Sequence, residues 1–314
     1  MYHIVSIWHK NRKQIVNFAL MRNNSTMKRI APSELILNSD GSIFHLHLTP
    51  EQLANNIILV GDPGRVESVS KFFDTIEFEK SSREFHSSTG VYKGKRITAL
   101  STGIGADNID IVMNELDALV NIDFESRRVK SELTELNILR IGTSGSIQPQ
   151  IELGSFVLSH ISAGFDALLN WYGNRDEVSN SHMERAFIEH MGWNEILPKP
   201  YFVEAAPSLI EKLEDFTIKG LTVSAAGFYA PQGRVLRLPL VMEEMLERLE
   251  SFRYDNYKIT NFEMEGAAIA GLAKLMGHRA ATICLIIANR YAKESVTDYQ
   301  PYIDSLILNC LERL

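Results

Sequence analysis

The chain has 314 residues, of which 45% are hydrophobic and 23% are charged, so its composition is that of a globular protein with a large core. Its formal net charge is -7 and no block is rich in lysine and arginine, which argues against nucleic acid or an anionic membrane surface as a partner. The two cysteines, Cys284 and Cys310, make no disulfide framework and no zinc-like spacing, and they fit a reducing compartment, so we expect a cytoplasmic protein.

The first 26 residues lack the apolar region and the small-residue cleavage site of a signal peptide. No later stretch is long and apolar enough to span a membrane. Enzyme-like patterns begin only after Met27, which is a candidate for the true start. We therefore interpret residues 1–26 as an N-terminal extension outside the folded core, followed by one catalytic domain over residues 27–314.

Short apolar runs bounded by turn residues predict buried strands at 57–60, 97–100, 138–141, 221–223 and 282–288. Helical patterns lie between them: an apolar stripe of Ile111, Val112, Leu116 and Leu119, an amphipathic stretch over 240–249, an alanine-rich stretch over 263–276 with Gly277 as its cap, and a last helix over 306–314. This alternation predicts an α/β fold: a single domain with a mostly parallel central mixed sheet flanked by helices. Ligands of such sheets bind beyond the C-terminal ends of the strands.

Two glycine-containing loops follow the first two predicted strands. Gly61 opens the sequence Gly-Asp-Pro-Gly-Arg, in which backbone N–H groups can approach an anion and Arg65 can fork onto phosphate oxygens. The same sequence is also a common turn. The second loop, Thr-Gly-Ile-Gly at 102–105, lacks the third glycine of a dinucleotide fingerprint, so a tight turn beside the site is the favoured interpretation.

Charged residues accompany two later elements. Arg140 stands at the end of a predicted buried strand and needs an anionic partner there, because an unpaired buried charge is costly. That partner is either a phosphate, with Thr143 as a further donor, or a structural carboxylate. Glu263 and Glu265 stand at the start of a predicted helix, where they either complement the helix dipole or hold two vicinal hydroxyls of a ribose.

One loop carries Phe228, Gln232 and Arg234 close together. An aromatic face, an amide and a guanidinium can stack on a planar ring and recognise its carbonyl and imide edge. The alternative is an ordinary surface loop. His45 stands between Phe44 and Leu46, an apolar context in which a histidine usually belongs to the core.

Together these motifs resemble the nucleoside phosphorylase family and, within it, the uridine phosphorylases, in the family's order from about Phe44 to Arg290. The eight matching pieces are FHL (44–46), GDPGR (61–65), SREF (82–85), STGIG (101–105), RIGTSG (140–145), FYAPQGR (228–234), FEMEGAA (262–268) and IIANR (286–290). The resemblance implies a pentosyltransferase of pyrimidine salvage that cleaves uridine, and possibly deoxyuridine, with inorganic phosphate as co-substrate. The implied reaction requires no organic cofactor and no catalytic metal.

The resemblance also implies a role for each matching residue. Phosphate would be held by Gly61, Arg65, Arg140 and Thr143, and by Arg83 of a neighbouring subunit. Ribose would be held by Met264, Glu265 and the neighbour's His45. The base would be bound by Phe228, Gln232, Arg234 and Arg290. Catalysis itself would depend on Arg140, Gln232, Arg234 and Glu265.

Because family members build their sites across dimer interfaces, we expect a homo-oligomer, either a dimer or a hexamer that is a trimer of dimers. Many members place a monovalent cation between subunits near the counterparts of Glu84, Ile104 and Asn108. Here Asn108 stands where a serine is common in the family, so the presence of the cation is left open. Gly233 replaces a larger residue and is expected to loosen its loop. The polar segment 121–135 is absent from shorter bacterial members, and we interpret it as an exposed helical insertion.

Three other functions compete with uridine phosphorolysis. A hydrolytic nucleosidase would not need the phosphate arginines, and a non-catalytic nucleoside-binding protein would be expected to have lost phosphate or ribose ligands. A purine nucleoside phosphorylase shares the phosphate site. Alignment from Met264 puts the proton-donating Ser-Asp pair of many purine-cleaving relatives at Ile287 and Ala288, which are apolar here. That difference favours uridine.

Overall fold

The structure is a computed structural model and describes residues 28–314. The interpretation of residues 1–26 as an extension, and of Met27 as the start, lies outside the described residues. Fourteen strands are present within residues 28–314: β1 (Asn56–Val60), β2 (Thr75–Ser82), β3 (Phe85–Tyr92), β4 (Lys95–Ser101), β5 (Ile122–Asp123), β6 (Arg128–Val129), β7 (Asn137–Ser146), β8 (Phe156–Gly164), β9 (Tyr201–Glu204), β10 (Ile218–Ser224), β11 (Arg253–Tyr254), β12 (Tyr257–Glu263), β13 (Arg279–Asn289) and β14 (Glu294–Ser295).

Seven α-helices connect or flank these strands in the described part of the chain. They are α1 (Gly64–Ser70), α2 (Ala106–Asn121), α3 (Ser181–Met191), α4 (Pro207–Leu213), α5 (Met245–Ser251), α6 (Gly266–Met276) and α7 (Gln300–Arg313). Short 3-10 turns lie at Pro50–Gln52, Leu168–Trp171, Arg175–Glu177, Glu214–Phe216 and Ala230–Gln232.

Twelve strands form one mixed sheet in the order β11-β12-β10-β8-β13-β7-β1-β4-β3-β2, with β9 beside β8 and β14 beside β13. Its centre is parallel: β1 pairs with β4 and β7, and β7 pairs with β13. β10 is parallel to β8 and β12, while β13 and β8 are antiparallel. These pairings confirm the predicted single-domain α/β fold with a mixed central sheet.

An extra antiparallel pairing between β12 and β7 closes a ring of five strands, β7-β13-β8-β10-β12. In this pairing Asn261 lies opposite Ser146 and Phe262 lies opposite Gly145. Because the two strands run in opposite directions there, the last residue of β12, Glu263, is directed back along β7 towards Arg140. The topology thereby brings two distant charged motifs together.

Helices cover both faces of the sheet. β1 shows why: Ile57 and Leu59 enter one apolar cluster with α2 and α6, and Ile58 and Val60 enter another with α1, α4 and α7. Alternate side chains of a strand point to opposite faces, so a strand that is apolar throughout needs cover on both. A third apolar cluster joins α3 and α5 to the far end of the sheet.

All five predicted strands are confirmed, but several boundaries differ. The helix expected over 263–276 begins at Gly266, because Glu263 still belongs to β12, and it ends at Gly277 with φ 83° as expected. The helix expected over 240–249 begins at Met245, and the last helix is longer than 306–314 and begins at Gln300.

Both buried cysteines are unpaired. No helix within residues 28–314 has the length and apolarity needed to cross a membrane.

The interpretation of 121–135 as a helical insertion is wrong. The segment forms a small hairpin of β5 and β6, whose turn is fixed by the Ser126 N–H donating to Asp123 Oδ1 (2.7 Å). Arg127, at φ 57°, donates from its guanidinium to the carbonyls of Ile30, Ala31 and Leu35. The polar composition of the segment therefore reflects an exposed hairpin that anchors residues 30–35.

Candidate active site

The first glycine loop leaves the C-terminal end of β1. Asp62 Oδ1 accepts from the Gly64 N–H (2.9 Å) and fixes the entry into α1. Arg65, in the first turn of that helix, is half-buried, and Gly61 lies against the Gly103 carbonyl. The loop after β1 and the loop after β4 are therefore neighbours, as expected for adjacent parallel strands.

The second glycine loop bends sharply between β4 and α2. Gly103 and Gly105 have φ values of 73° and 106°, which a residue with a side chain rarely adopts. The bend directs the Gly105 N–H to Glu265 Oε1 (2.8 Å). This loop is thus a tight turn beside the site, as the sequence suggested, and it also positions a carboxylate.

Arg140 lies inside β7 and not at its end, so the expectation that it ends a strand is wrong. Its guanidinium is buried and donates to Glu265 Oε2, with Glu263 Oε2 3.3 Å away. The room for it comes from Gly142, where a side chain would collide with the guanidinium. Thr143 follows one residue later and is half-buried.

Glu263, for which the sequence left helix-dipole complementation and ribose binding as alternatives, accepts hydrogen bonds at the start of α6. Its Oε2 accepts from the N–H groups of Glu265 (2.9 Å) and Gly266 (2.8 Å), and its Oε1 accepts from the Ser224 hydroxyl. It therefore caps α6 while pairing with Arg140. A glutamate at a strand end just before a helix N-terminus is the sequence signal that identifies such a residue.

In this cluster, burial and the neighbouring charges act in opposite directions on the pKa of Arg140 and on that of Glu265. Burial lowers the pKa of Arg140, but the carboxylates of Glu265 and Glu263 outweigh burial and raise it above its ordinary value. Burial raises the pKa of Glu265, and the charge of Arg140 offsets this only in part. One guanidinium thus faces two buried carboxylates. Met264, between them in sequence, is half-buried.

A second polar cluster lies after β10 and β13. Arg234 donates to Gln232 Oε1 and to the Phe228 carbonyl (2.6 Å), and its guanidinium lies 3.8 Å from the centroid of the Phe228 ring. Arg290 donates to the Gln232 carbonyl (2.9 Å) and stands against Gly145 at the end of β7. The structure therefore brings all four predicted base-binding residues together.

This second cluster is positively charged. Within residues 28–314 neither Arg234 nor Arg290 forms an ion pair with a carboxylate. Partial burial lowers the pKa of both guanidinium groups, and for Arg234 the nearby charge of Arg290 adds to the effect. Two partly desolvated cations beside a buried amide suit an anionic or strongly polar ligand edge.

That Gly233 loosens its loop stays a prediction. Gly233 ends the 3-10 turn Ala230–Gln232 at φ 69°, and a side chain there would collide with Leu246 of α5. The glycine is required by the backbone conformation and by this close approach.

His45 and Arg83 lie near each other, around the ring of Phe44. Arg83, at φ 55° in the turn between β2 and β3, lies 6.0 Å from the ring of Phe44, and His45 packs edge-on against that same ring. His45 Nδ1 lies 2.6 Å from Glu115 Oε1 of α2, and its side chain remains 28% exposed. It is therefore a carboxylate-paired, partly exposed histidine and not a fully buried core residue.

The candidate cation residues are also adjacent. A side chain at Gly103 would collide with both Asn108 and Glu84, so these two face each other across the loop that carries Ile104. The Glu84 carbonyl accepts from the Ser101 hydroxyl (2.7 Å), which holds the turn in place. Among residues 28–314 no three His, Cys, Asp or Glu side chains cluster in a way suited to a metal ion.

A comparison with protein families matches residues 56–305 to the model described as the phosphorylase superfamily. The chain is 28% identical over 274 residues to the uridine phosphorylase of Thermococcus kodakarensis, which covers 85% of each protein. It is 29% identical over 266 residues to the uridine phosphorylase of Escherichia coli, covering 82% of this chain and 89% of that protein. Among solved structures, a Trypanosoma brucei nucleoside phosphorylase described as showing uridine phosphorylase activity superposes with a TM-score of 0.81 at 28% identity, covering 89% of this chain and 100% of that one.

Proposed function

The chain belongs to the phosphorylase superfamily, and we propose that it is a uridine phosphorylase, which transfers the ribosyl group of uridine to inorganic phosphate and releases uracil. The observation that carries the choice of base is the cluster of Gln232, Arg234 and Arg290. It offers an amide and two guanidinium groups that no carboxylate neutralises within the described residues.

The base site suits the charge that develops on the leaving group. As the bond from C1′ to N1 breaks, its electrons pass to uracil and spread over N1, O2 and O4. Arg234 can only donate, so its contact with Gln232 fixes the amide oxygen on that side and leaves the amide nitrogen as a donor to the base. Donors already held in place cost no reorganisation as charge develops on the base.

The phosphate site would lie around Arg140. Arg65 and Gly61 after β1, Arg140 and Thr143 in β7, and Arg83 of a neighbour would hold the phosphate beneath C1′. The phosphate oxygen forms the new bond to C1′ as uracil leaves, and its charge also stabilises the cationic ribose. Holding the two reactants in line supplies a large part of the rate.

The ribose would lie between these clusters, beside Glu265 and Met264. Glu265 accepts from Gly105 and from Arg140, so its orientation is set from two sides. A carboxylate held in this way can accept hydrogen bonds from the 2′- and 3′-hydroxyls. His45 of a neighbouring subunit would complete the site at the 5′-hydroxyl.

The partly exposed position of His45 and its closeness to Arg83 support a shared site in a homo-oligomer, a dimer or a hexamer. A monovalent cation at the subunit interface would be held by the oxygens of Glu84, Ile104 and Asn108, which are the ligand type that such ions prefer.

The pathway served by this reaction would be pyrimidine salvage. The two free cysteines support a cytoplasmic location.

The decisive experiment follows the ultraviolet absorbance of uridine with the purified chain, with and without inorganic phosphate. A phosphorylase changes the absorbance only when phosphate is present. Cleavage without phosphate would identify a hydrolytic nucleosidase, and binding without cleavage under both conditions would identify a nucleoside-binding protein. Inosine in a parallel assay tests the purine alternative.

A further inference from the structure

Glu115 of α2 binds the segment that carries His45 through both backbone and side chain. Its carboxylate accepts from the N–H groups of His45 (3.0 Å to Oε1) and Leu46 (2.9 Å to Oε2), and from His45 Nδ1 (2.6 Å to Oε1). Only 12% of the Glu115 side chain is exposed. We propose that Glu115 is a positioning residue for the reaction, which sets the orientation and the tautomer of His45 towards the 5′-hydroxyl of the nucleoside.

The tautomer follows from the chemistry of the contact. A carboxylate only accepts, so His45 Nδ1 must carry a proton where it meets Glu115. The proton that remains in a neutral imidazole is then committed to Nδ1, and Nε2 is left as an acceptor. A hydroxyl is both donor and acceptor, so the 5′-hydroxyl can donate to that bare nitrogen. Glu115 therefore determines which nitrogen faces the substrate.

Glu115 also stands on a rigid support. The buried stripe of α2, formed by Ile109, Val112, Leu116 and Leu119, packs into an apolar cluster of the core. The same helix begins just after Gly105, whose N–H donates to Glu265. The residue that begins this helix thus holds Glu265, and the third turn of the same helix holds His45. Sites held by packed helices are positioned more accurately than sites on free loops.

The proposal rests on the proposed function, and its test uses two substrates that differ by one atom. We expect Glu115→Gln to lower kcat/KM for uridine about tenfold, the scale of one well-placed hydrogen bond, because the amide cannot replace all the carboxylate contacts. For 5′-deoxyuridine, which lacks the hydroxyl, the same substitution should change kcat/KM less than about twofold. A purely structural role would lower both values equally.

Four further variants complete the test. His45→Ala should lose about the same factor for uridine as Glu115→Gln, and the double variant should lose no more than either, because both remove one interaction. Asp117→Asn is the matched control: it lies on the same helix but contacts Asn121 and His278 and not residues 43–48, so the ratio between the substrates should stay at the wild-type value even if stability falls. If Glu115→Gln does not fold, Glu115→Asp retains the charge and should show the same selective loss.

The outcomes separate this inference from the proposed function. If the wild type does not cleave uridine with phosphate, the proposed function fails. If it cleaves uridine but Glu115→Gln or Glu115→Asp lowers kcat/KM for both substrates by one factor, the positioning role is overturned and the function stands. The same holds if wild type uses uridine and 5′-deoxyuridine equally well.

Discussion

The guanidinium of Arg140 in β7 donates a hydrogen bond to the carboxylate of Glu265, which stands 125 residues later at the start of α6. The contact joins the residue proposed to bind phosphate to the residue proposed to bind ribose. It exists because β12 runs antiparallel to β7 and so returns the chain to Arg140. Each charge is therefore held by the other, and a bound phosphate and ribose would compete for both.

Replacing Arg140 should affect phosphate much more than the base. Arg140→Ala removes a forked donor to the nucleophile, so we expect kcat/KM for phosphate to fall at least about a hundredfold, with uracil binding changed far less. Calorimetry for uracil and steady-state kinetics for phosphate measure the two effects.

Because Arg140→Ala leaves Glu263 and Glu265 buried without their cation, it should also lower stability by about 3–5 kcal/mol. Arg140→Lys is the control, since it retains a charge for the carboxylates but loses the fork. Near-normal phosphorolysis by either variant contradicts the phosphate assignment.

Glu265 should set an acid limb in the pH profile. Burial raises the pKa of this carboxyl above its ordinary value of 4.5, and only the ionised form can accept from both ribose hydroxyls without donating. The value of kcat/KM for uridine should therefore fall as the pH decreases through that raised pKa. Glu265→Gln should be much slower and should lack this limb. An unchanged acid limb in Glu265→Gln would assign it to another group.

The sequence predicts the strands because five buried runs end in turn residues. It predicts the members of both clusters because their residue types suit anions, hydroxyls and a polar base, but it does not predict the distances between those residues. The apolar run stops at Ile141, and it therefore predicts that the strand ends near Arg140. β7 continues to Ser146 because its later residues, including Gly142 and Gly145, pair with β13.

The roles of Glu263 and Glu115 depend on partners that are distant in sequence. Glu263 differs from an ordinary helix-capping carboxylate only because β12 meets β7. In the sequence, Glu115 is one of several acidic residues on an amphipathic helix. Its role is visible only in the structure, where residues 43–48 pack against it. The segment 121–135 has no apolar period that distinguishes a hairpin from a helix, and its tertiary contacts with residues 30–35 decide between them.

Mixed oligomers test the shared site. If Arg83 serves the neighbouring site and Arg140 its own, Arg83→Ala and Arg140→Ala chains are each inactive, but a mixed oligomer contains some sites with both arginines. Mixing under conditions that exchange subunits should therefore restore part of the activity, measured against each variant alone. Absence of recovery in oligomers verified as mixed, or full activity of a monomer by light scattering, contradicts the shared site.

The hairpin of β5 and β6 should stabilise the N-terminal part of the described chain. Arg127→Ala removes the side-chain donors to the carbonyls of Ile30, Ala31 and Leu35, and we expect a loss of about 1–3 kcal/mol in unfolding free energy. Hydrogen exchange should increase over residues 30–35. Arg128→Ala, an exposed neighbour, is the matched control and should leave both measurements unchanged. Equal effects of the two variants would show that charge alone, and not this anchor, matters.

The last prediction concerns the choice of base. A purine leaves most easily when an acid protonates N7, but Ile287 and Ala288 at the end of β13 have no proton to give. The base cluster instead offers the amide of Gln232 and the charge of Arg234. A wrong base would leave these partly desolvated groups without partners, which is costly. We therefore expect kcat/KM for uridine to exceed that for inosine at least about a hundredfold, as a few kcal/mol of transition-state preference implies. Comparable values for the two nucleosides, measured with saturating phosphate, would overturn the uridine assignment and leave membership of the superfamily intact.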